Sequence, residues 1–203
     1  MPKTVEQNKK LKEEKKKLIL KEAIKLFSQN GYSNTTIEKV AKAAGVSFGS
    51  VFSYFKNKES LFNAAVLDPL SDSKKYLMCI DDFEGTPLER VNQAIDKHIY
   101  YFSRNGEYLR LLQFVLAQPN RYPALILELD CFLMDFQTSL VKVIKEGQQT
   151  KELYTTNPEW IALSYFSFLN GARLTLTVEP DHDIWKLYKM QALRLFAPLQ
   201  EDM

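Results

Sequence analysis

Apolar residues recur at three- and four-residue intervals along most of the chain, which is the spacing of one face of an α-helix. The stretch KKLILKEAIKLFSQNG keeps this spacing, and Gly31 supplies a residue type that commonly ends a helix. No stretch shows sustained alternation of apolar and polar residues with turn dipeptides between strands. The pattern predicts an all-α protein whose first helix covers about residues 11–30.

The next capping signals predict three short helices joined by tight turns. Thr35 and Glu38 have the spacing of a capping box, and Gly45 ends that helix. Two more helices are expected over about 47–54 and 57–70, each beginning at a residue whose side chain can accept a hydrogen bond from a free backbone N–H. The fourth helix would be the only direct covalent link to the rest of the chain.

Beyond Pro69 the predicted helices lengthen. Thr86, Pro87 and Glu89 combine a capping box with proline at the first helical position. Later glycine and proline residues predict that two helices end near residues 104 and 118. Three further helices are predicted over 123–149, 157–179 and 181–196. About nine helices are expected in all.

Charge divides the chain into two parts. Residues 1–67 carry thirteen lysines, no arginine and six acids, whereas residues 68–203 carry fourteen bases and nineteen acids. The whole-chain charge of +2 therefore hides a basic module of +7 and a mildly acidic body of −5. Such an asymmetry favours a polyanionic partner at one end, with nucleic acid as the leading candidate and an anionic membrane surface as the alternative.

Other features exclude several classes of protein. The longest uncharged runs have thirteen residues, fewer than the roughly 20 that span a bilayer, so no membrane segment is expected. The N-terminus lacks the apolar stretch of a secretory signal, which favours the cytoplasm. Cys79 and Cys131 have no metal-ligand spacing and are expected to be small, buried apolar residues. We predict no metal site, no catalytic site and no cofactor.

The sequence GVSFG, residues 45–49, fits the nucleophile elbow G-x-S-x-G of many hydrolases. That elbow needs a strand before the serine, but the preceding residues have a helical pattern. His98 and His182 are the only histidines, and no second motif supplies an oxyanion hole. A hydrolase with Ser47 as its nucleophile is therefore kept only as an alternative.

The same residues fit a helix-turn-helix. Ala41 is a small residue where two crossing helices approach, Gly45 occupies the turn, and the apolar neighbours form a shared face. The second helix would then present Ser47, Phe48, Gly49, Ser50 and Ser53 outward. An ordinary helical hairpin would use the same small residues, so this pattern alone leaves both interpretations open.

The wider N-terminal block resembles the TetR family of transcriptional regulators over about 50 residues without gaps. The matching residues are Phe27, Gly31, Thr36, Ile37, Val40, Ala41, Ala44, Gly45, Val46, Ser47, Gly49, Phe52, Tyr54, Phe55, Lys58, Glu59 and Leu61.

The resemblance implies a recognition helix over residues 47–54 that enters the major groove. It also implies that Thr36 and Lys58, at two helix starts, bind phosphates, which is consistent with the positive end of a helix dipole. The predicted DNA-contacting residues are Thr36, Ser47, Phe48, Gly49, Ser50, Phe52, Ser53, Tyr54, Lys56 and Lys58.

Two departures from the family pattern change the expected readout. Phe52 stands where the family often has tyrosine, so a hydroxyl contact to phosphate is absent there, and Tyr54 is a candidate replacement. The basic module has no arginine for a bidentate contact to guanine. Readout is expected from serine hydroxyls, from Phe48 against thymine methyls and from close backbone approach at Gly49. The lysines of the tail would neutralise phosphates or simply form a solvated helix start.

The C-terminal body carries two nearly all-round apolar helices, over 157–179 and 181–196, which need cover on both sides. A second copy packed isologously into a four-helix bundle would supply it, and the resemblance implies the same homodimer; an intrachain contact is the alternative. The predicted interface residues are Phe166, Gly171, Leu174, Trp185, Tyr188 and Leu195.

The resemblance also implies a central cavity, and the aromatic excess of the middle helices would make it suited to a flat apolar or aromatic effector. Each candidate has an ordinary alternative as a core, interface or ion-pair residue. The predicted effector-pocket residues are His98, Tyr101, Tyr108, Gln113, Phe114, Phe132, Phe136, Tyr165, Asn170 and Arg173.

These observations predict an all-α, homodimeric DNA-binding regulator, released as a repressor from a palindromic double-stranded operator by a small molecule. Residues 1–57 would form the three-helix DNA-binding domain, with 1–15 as a flexible basic tail. Residues 58–203 would form the effector-binding and dimerisation domain. A helical scaffold that binds a protein or membrane without specific DNA recognition is the third interpretation.

Overall fold

The computed structural model describes residues 5–176 and 178–198, with all of their side chains except those of Val5 and Arg173. Within these residues the only regular structure is helical, so the predicted all-α fold class is confirmed. A 3-10 helix covers Ile80–Asp82. The α-helices in chain order are α1 (Val5–Asn34), α2 (Ile37–Ala43), α3 (Phe48–Phe52), α4 (Lys58–Leu67), α5 (Leu70–Leu77), α6 (Pro87–Arg104), α7 (Gly106–Leu116), α8 (Pro123–Gln149), α9 (Pro158–Thr175) and α10 (Ile184–Leu193).

Several helix ends follow directly from local capping chemistry. Asn57 forms a reciprocal capping box with Ser60, and Thr86 forms one with Glu89, with Pro87 at the first helical position. Both pairs satisfy backbone N–H groups that have no partner inside their helix. The predicted starts of α4, α6, α8 and α9 are therefore confirmed.

The first two helices differ from the sequence prediction. α1 begins at Val5 rather than Leu11, so residues 5–15 of the predicted tail are helical, and residues 1–4 lie outside the described part. The helical geometry breaks at Gly31 as predicted, since its φ is +72°. The Thr35 capping box is wrong, because Thr35 is buried and its hydroxyl donates to two carbonyls of α1. Thr36 caps α2 instead, accepting from the N–H of Lys39.

The predicted helix over 57–70 is also interrupted. α4 ends at Leu67 and α5 begins at Leu70, with Pro69 between them. Proline has no amide hydrogen and its ring clashes with the carbonyl four residues earlier, so it ends α4. α5 then continues to Leu77, beyond the predicted end at residue 70, and it is the one helix more than the nine or so that the sequence predicts.

The chain divides into two compact units. The first contains the described residues up to Pro69 together with Arg110–Ile126, and the second contains Leu70–Leu109 and the described residues from Leu127 onward. The chain therefore passes between the units three times, which corrects the expectation that α4 is the only covalent link. The predicted boundary between residues 57 and 58 is a division by role and stays a prediction.

An aromatic cluster forms part of the core of the first unit. Phe62 of α4 packs edge-on against Phe27 and Tyr32 of α1, with ring centroids 5.0 Å apart in both pairs. Tyr122, from the segment between α7 and α8, stacks at a tilt on the other side of Phe62 at 5.2 Å. The cluster fixes the loop over residues 117–122 onto the same unit as α1–α4.

The second unit has a larger core with polar groups inside it. Cys79 is buried in this unit as predicted, whereas the predicted burial of Cys131 is wrong because its side chain is exposed. His98 of α6 and Tyr165 of α9 are completely buried, and Phe136 and Phe196 pack against the tyrosine ring. Ser73 and Tyr101 are buried as well, with their hydroxyl oxygens 2.5 Å apart. Buried polar groups in pairs satisfy part of each other's hydrogen-bonding capacity, so this core tolerates them.

Candidate nucleic-acid interface

The turn between α2 and α3 has the geometry that a helix-turn-helix requires. Ala41 is buried, and its carbonyl accepts a hydrogen bond of 3.0 Å from the N–H of Val46. Gly45 has a φ of +63°, a conformation that L side chains rarely adopt. Val51 is the fully buried residue of α3 and holds that helix against the core. The remaining side chains of α3 are left on or near the surface.

α3 presents an uncharged outer face. Ser47, Gly49 and Ser53 are exposed, and Ser50 and Tyr54 are half-buried. A side chain at Gly49 would meet nothing within 4 Å, so another molecule can approach this backbone closely. The predicted recognition helix is thus accessible over most of its length.

Two aromatic side chains stand out on this face. Phe48 and Phe52 are 46% and 42% exposed, and their rings meet edge-on at 4.8 Å. An exposed aromatic pair on a short helix leaves apolar surface in water, which a binding partner would cover. Thymine methyl groups in the major groove offer an apolar surface of this kind.

The position of Ser47 favours a structural role over a nucleophilic one. It is the N-cap of α3, and its hydroxyl oxygen accepts from the Ser50 N–H at 3.2 Å. The element before it is helix α2, whereas a nucleophile elbow needs a strand there. His98 and His182, the only histidines, belong to the second unit. The Ser47 hydroxyl donates instead to the Ser50 hydroxyl oxygen at 3.0 Å.

The two predicted phosphate-binding helix starts carry lysines that fold onto the end of α1. The Lys58 ammonium donates to the Ser33 carbonyl at 3.3 Å and lies 4.3 Å from the centroid of the Tyr32 ring. The Lys39 ammonium donates to the Asn34 carbonyl at 2.8 Å. Thr36 and Lys56 are exposed beside them.

Arg121, which the sequence analysis did not indicate, adds positive charge near Lys58. The pKa of Lys58 is lowered by partial burial first, and then by the nearby cations Arg121 and Lys39. The guanidinium carbon of Arg121 lies 5.6 Å from the centroid of the Tyr32 ring. No signal near Arg121 points to α2 or α4, because only the fold brings these segments together.

The structure brings only some of the predicted effector-pocket residues together. The Nδ1 atom of His98 is 2.8 Å from the Tyr165 hydroxyl, and the His98 ring lies 5.5 Å from that of Phe136. Burial lowers the pKa of His98 to about 3 and raises the pKa of Tyr165 well above its ordinary value. His98 is therefore neutral, and its Nε2 atom makes no hydrogen bond of ordinary geometry within the described residues.

The other predicted pocket residues lie elsewhere. Burial raises the pKa of Tyr101 to about 12 and raises that of Tyr108 further. Phe132 is half-buried, and the Asn170 amide donates to the Phe166 carbonyl in its own helix. Gln113 and Phe114 belong to the first unit, where Phe114 lies 3.6 Å from the position of a Cβ at Gly31. The side chain of Arg173 is outside the described part.

An open cleft in the second unit was not indicated by the sequence. Its volume is about 540 Å³, and none of its lining residues is among the predicted pocket residues. Asp96 at its wall pairs with Lys189 at 2.6 Å, and the aromatic wall includes the stacked rings of Tyr76 and Tyr100. The lining residues are Tyr76, Phe83, Gln93, Asp96, Lys97 and Tyr100.

The predicted dimer residues differ in accessibility. Leu174 is 65% exposed, whereas Trp185 is buried and donates its indole N–H to the Glu179 carbonyl. Phe166, Gly171, Tyr188 and Leu195 are half-buried. Further large apolar side chains of α9 and α10 are exposed, namely Trp160, Leu163, Leu187 and Met190. No helix in the described residues has the length and apolar character needed to cross a membrane.

A helix-turn-helix with an accessible second helix, followed by a helical body, defines a class of DNA-binding regulators. The family model for bacterial regulatory proteins of the tetR family matches residues 19–65. The fold is similar to the solved structure of a tetR-family regulatory protein from Rhodococcus RHA1, with a TM-score of 0.72 and 20% sequence identity. The aligned part covers 92% of this chain and 98% of that one.

Three relatives agree with this class. The HTH-type regulator YhgD of Bacillus subtilis is 45% identical over 62 residues, which are 30% of this chain and 32% of YhgD. The fatty acid metabolism regulator protein of the same organism is 26% identical over 66% of this chain and 69% of its own length. IcaR of Staphylococcus epidermidis, a negative transcriptional regulator of a biofilm operon, is 23% identical over 75% of each chain.

Over residues 19–65 the chain is similar to bacterial regulatory proteins of the tetR family, and its fold is similar to that of a solved tetR-family structure. The predicted resemblance to TetR-family regulators is thereby confirmed for the helix-turn-helix region. The match to YhgD spans about a third of that relative.

Proposed function

We propose that the protein is a homodimeric repressor that binds a palindromic operator through α3 and is released by a small, largely apolar or aromatic effector. The observation that carries this proposal is the exposed outer face of α3, with Phe48 and Phe52 beside the open backbone at Gly49. The negative regulation named for IcaR supports the direction of control.

The chemistry of α3 determines how the operator is read. The helix has no charged side chain, so base recognition rests on Ser47 and Ser50 hydroxyls and on apolar contact from Phe48 to thymine methyls. Affinity comes mainly from lysines that neutralise phosphates, which makes it strongly dependent on salt.

The exposed apolar side chains of α9 and α10 support the homodimer. Trp160, Leu174 and Leu187 are each more than half exposed, and a monomer would leave this surface in water. An isologous contact between two copies covers the same residues twice. Two recognition helices about 34 to 36 Å apart would then match successive major grooves of a palindrome.

The effector is expected to bind in the second unit. Its polar anchors are the Asp96 and Lys97 side chains at the open cleft. The name of the fatty acid metabolism regulator supports an apolar ligand with one polar end. Release requires that the effector bind one of two conformations of the dimer more tightly than the other.

Selection of bound duplexes from a random DNA pool, repeated at two salt concentrations, tests the proposal. Enrichment of a palindrome, with binding that weakens steeply as salt rises, is expected. The selected duplex then serves to screen fatty acids and aromatic acids for release. If no motif is enriched at either salt concentration, the scaffold interpretation replaces the repressor. Hydrolysis of an ester that stops on Ser47→Ala would instead support the hydrolase interpretation.

A further inference from the structure

We propose that Arg121, in the loop between α7 and α8, binds a backbone phosphate of the operator together with Lys39 and Lys58. This inference rests on the proposed function and deepens it, because it adds a phosphate contact from outside the family-model match at residues 19–65. A DNA contact in this loop would make the DNA-binding surface discontinuous in sequence.

Three cations converge at the end of α1. The Lys58 ammonium and the Arg121 guanidinium both lie over the Tyr32 ring, at 4.3 Å and 5.6 Å from its centroid. The Lys39 and Lys58 ammoniums each donate to one carbonyl, of Asn34 and Ser33. An ammonium has three donors, so each lysine keeps two for a further acceptor.

No carboxylate balances this cluster. In the part of the chain that the structure describes, none of the three cations forms an ion pair, although ten such pairs occur elsewhere. Glu38 and Glu59 are neighbours in sequence of Lys39 and Lys58, yet neither pairs with them. Partial burial lowers the pKa of Lys58 first, and repulsion from Arg121 and Lys39 lowers it further; a bound anion would relieve this repulsion.

Arg121 is held in place for such a contact. Its guanidinium carbon lies 5.3 Å from the Tyr122 ring centroid, and its Nη1 atom donates to the Gln118 side chain at 3.3 Å. Tyr122 in turn packs on Phe62 of α4. The side chain is exposed and retains further N–H donors in the planar arrangement that suits phosphate oxygens.

DNA is the favoured source of the phosphate because Lys39 and Lys58 belong to α2 and α4, the helices that precede and follow the exposed helix α3 in the chain. The loop joins α7 to α8, and both helices continue into the second unit. Movement of either helix would therefore change the position of Arg121 and, with it, operator affinity.

The test compares the full-length wild type with Arg121→Gln and Arg121→Lys. Arg194→Gln is the matched control, because Arg194 is also exposed and also donates to a glutamine three residues earlier, Gln191. Affinity for the selected operator and for a scrambled duplex is measured by fluorescence anisotropy between 50 and 200 mM salt. Thermal unfolding and sedimentation of each variant report its folding and its oligomeric state.

Arg121→Gln is expected to weaken binding to both duplexes about fivefold and to lower the slope of log affinity against log salt by about 0.9. Arg121→Lys should keep the wild-type slope, and Arg194→Gln should change neither quantity. An unchanged slope in Arg121→Gln, with the wild type still selecting an operator, would overturn this inference alone. Equal stability losses in both Arg121 variants without a slope change would assign the residue to packing. If the wild type binds no duplex, the proposed function fails as well.

Discussion

The two compact units place their polar side chains differently. In the first unit the polar groups near α2, α3 and α4 lie at the surface as helix caps and as lysines. In the second unit His98, Tyr165 and Ser73 are buried and bond to one another or to Tyr101. A surface cap is determined by a few neighbouring residues, whereas a buried pair depends on packing between distant helices. The comparison explains why the DNA-binding surface is easier to infer than the effector site.

The largest expected effect is a loss of stability in a variant of the first unit, and it tests whether the two units unfold separately. Phe62→Ala removes the central ring of the aromatic cluster in the first unit and should cost about 3 to 5 kcal/mol. Both tryptophans, Trp160 and Trp185, lie in the second unit, so their fluorescence reports that unit while circular dichroism reports all helices. In urea the dichroism transition should move to lower concentration more than the fluorescence transition does.

The matched control for this experiment is Phe83→Ala, a half-buried ring in the second unit. Phe83→Ala should lower stability less than Phe62→Ala does, and the shift should be seen in the fluorescence transition. Equal shifts of both signals in Phe62→Ala would mean that the two units unfold as one.

A second prediction concerns the buried histidine. Burial holds the pKa of His98 at about 3, below the ordinary 6.5, so the unfolded chain binds a proton in this range that the folded chain does not. Stability is then fully present above about pH 6.5 and is lost as the pH falls toward 3, by roughly 3 kcal/mol between pH 7 and pH 4. His98→Gln should remove this part of the pH dependence in urea titrations.

His182 is the control for this titration, since it is exposed in the same unit. His182→Gln should keep the wild-type pH dependence. If His98→Gln loses stability as steeply as the wild type when the pH falls, the acid-induced loss of stability does not come from His98.

Substitutions at two glycines of the first unit distinguish effects on folding from effects on DNA binding. Gly45→Ala places a side chain at a φ of +63° and should lower the free energy of unfolding by roughly 1 to 2 kcal/mol. Gly49→Ala has open space around it and lies inside α3, so stability should hold or rise slightly, while operator affinity falls because the added methyl meets the DNA. Urea denaturation and anisotropy measure the two quantities. Undiminished operator affinity in Gly49→Ala would contradict close backbone approach.

The smallest expected effect concerns the N-cap of α3. Ser47→Ala removes the acceptor for the Ser50 N–H and should cost about 1 kcal/mol of stability together with part of the operator affinity. Ser53→Ala is the control, because its hydroxyl donates to a carbonyl of its own helix and caps no free N–H. Equal stability losses in the two variants would argue against the capping role.

Most of what the sequence predicts correctly is local. The cap at Asn57, the capping box at Thr86 and the break at Gly31 each depend on residues within one helical turn, and all three are found. Thr35 is the exception that shows the limit, because its hydroxyl bonds across to α1 and leaves the cap to Thr36.

The rest depends on contacts between segments that are far apart in sequence. Arg121 is 63 positions from Lys58, and nothing near either residue indicates that they meet over Tyr32. The cleft beside Tyr76 and Tyr100 arises where α5 and α6 pack, so its lining was not predicted. Phe114 was assigned to the effector pocket by its aromatic character, which does not distinguish that role from packing at Gly31.

The central claim is that the outer face of α3 reads the operator. The most direct measurement is the ratio of affinities for the selected operator and a scrambled duplex, for the wild type and for a Phe48→Ala, Phe52→Ala double variant. The ratio is expected to collapse while affinity for the scrambled duplex and stability are preserved, because we propose that the exposed rings contact bases and the lysines contact phosphates. A ratio that stays at the wild-type value would contradict the claim.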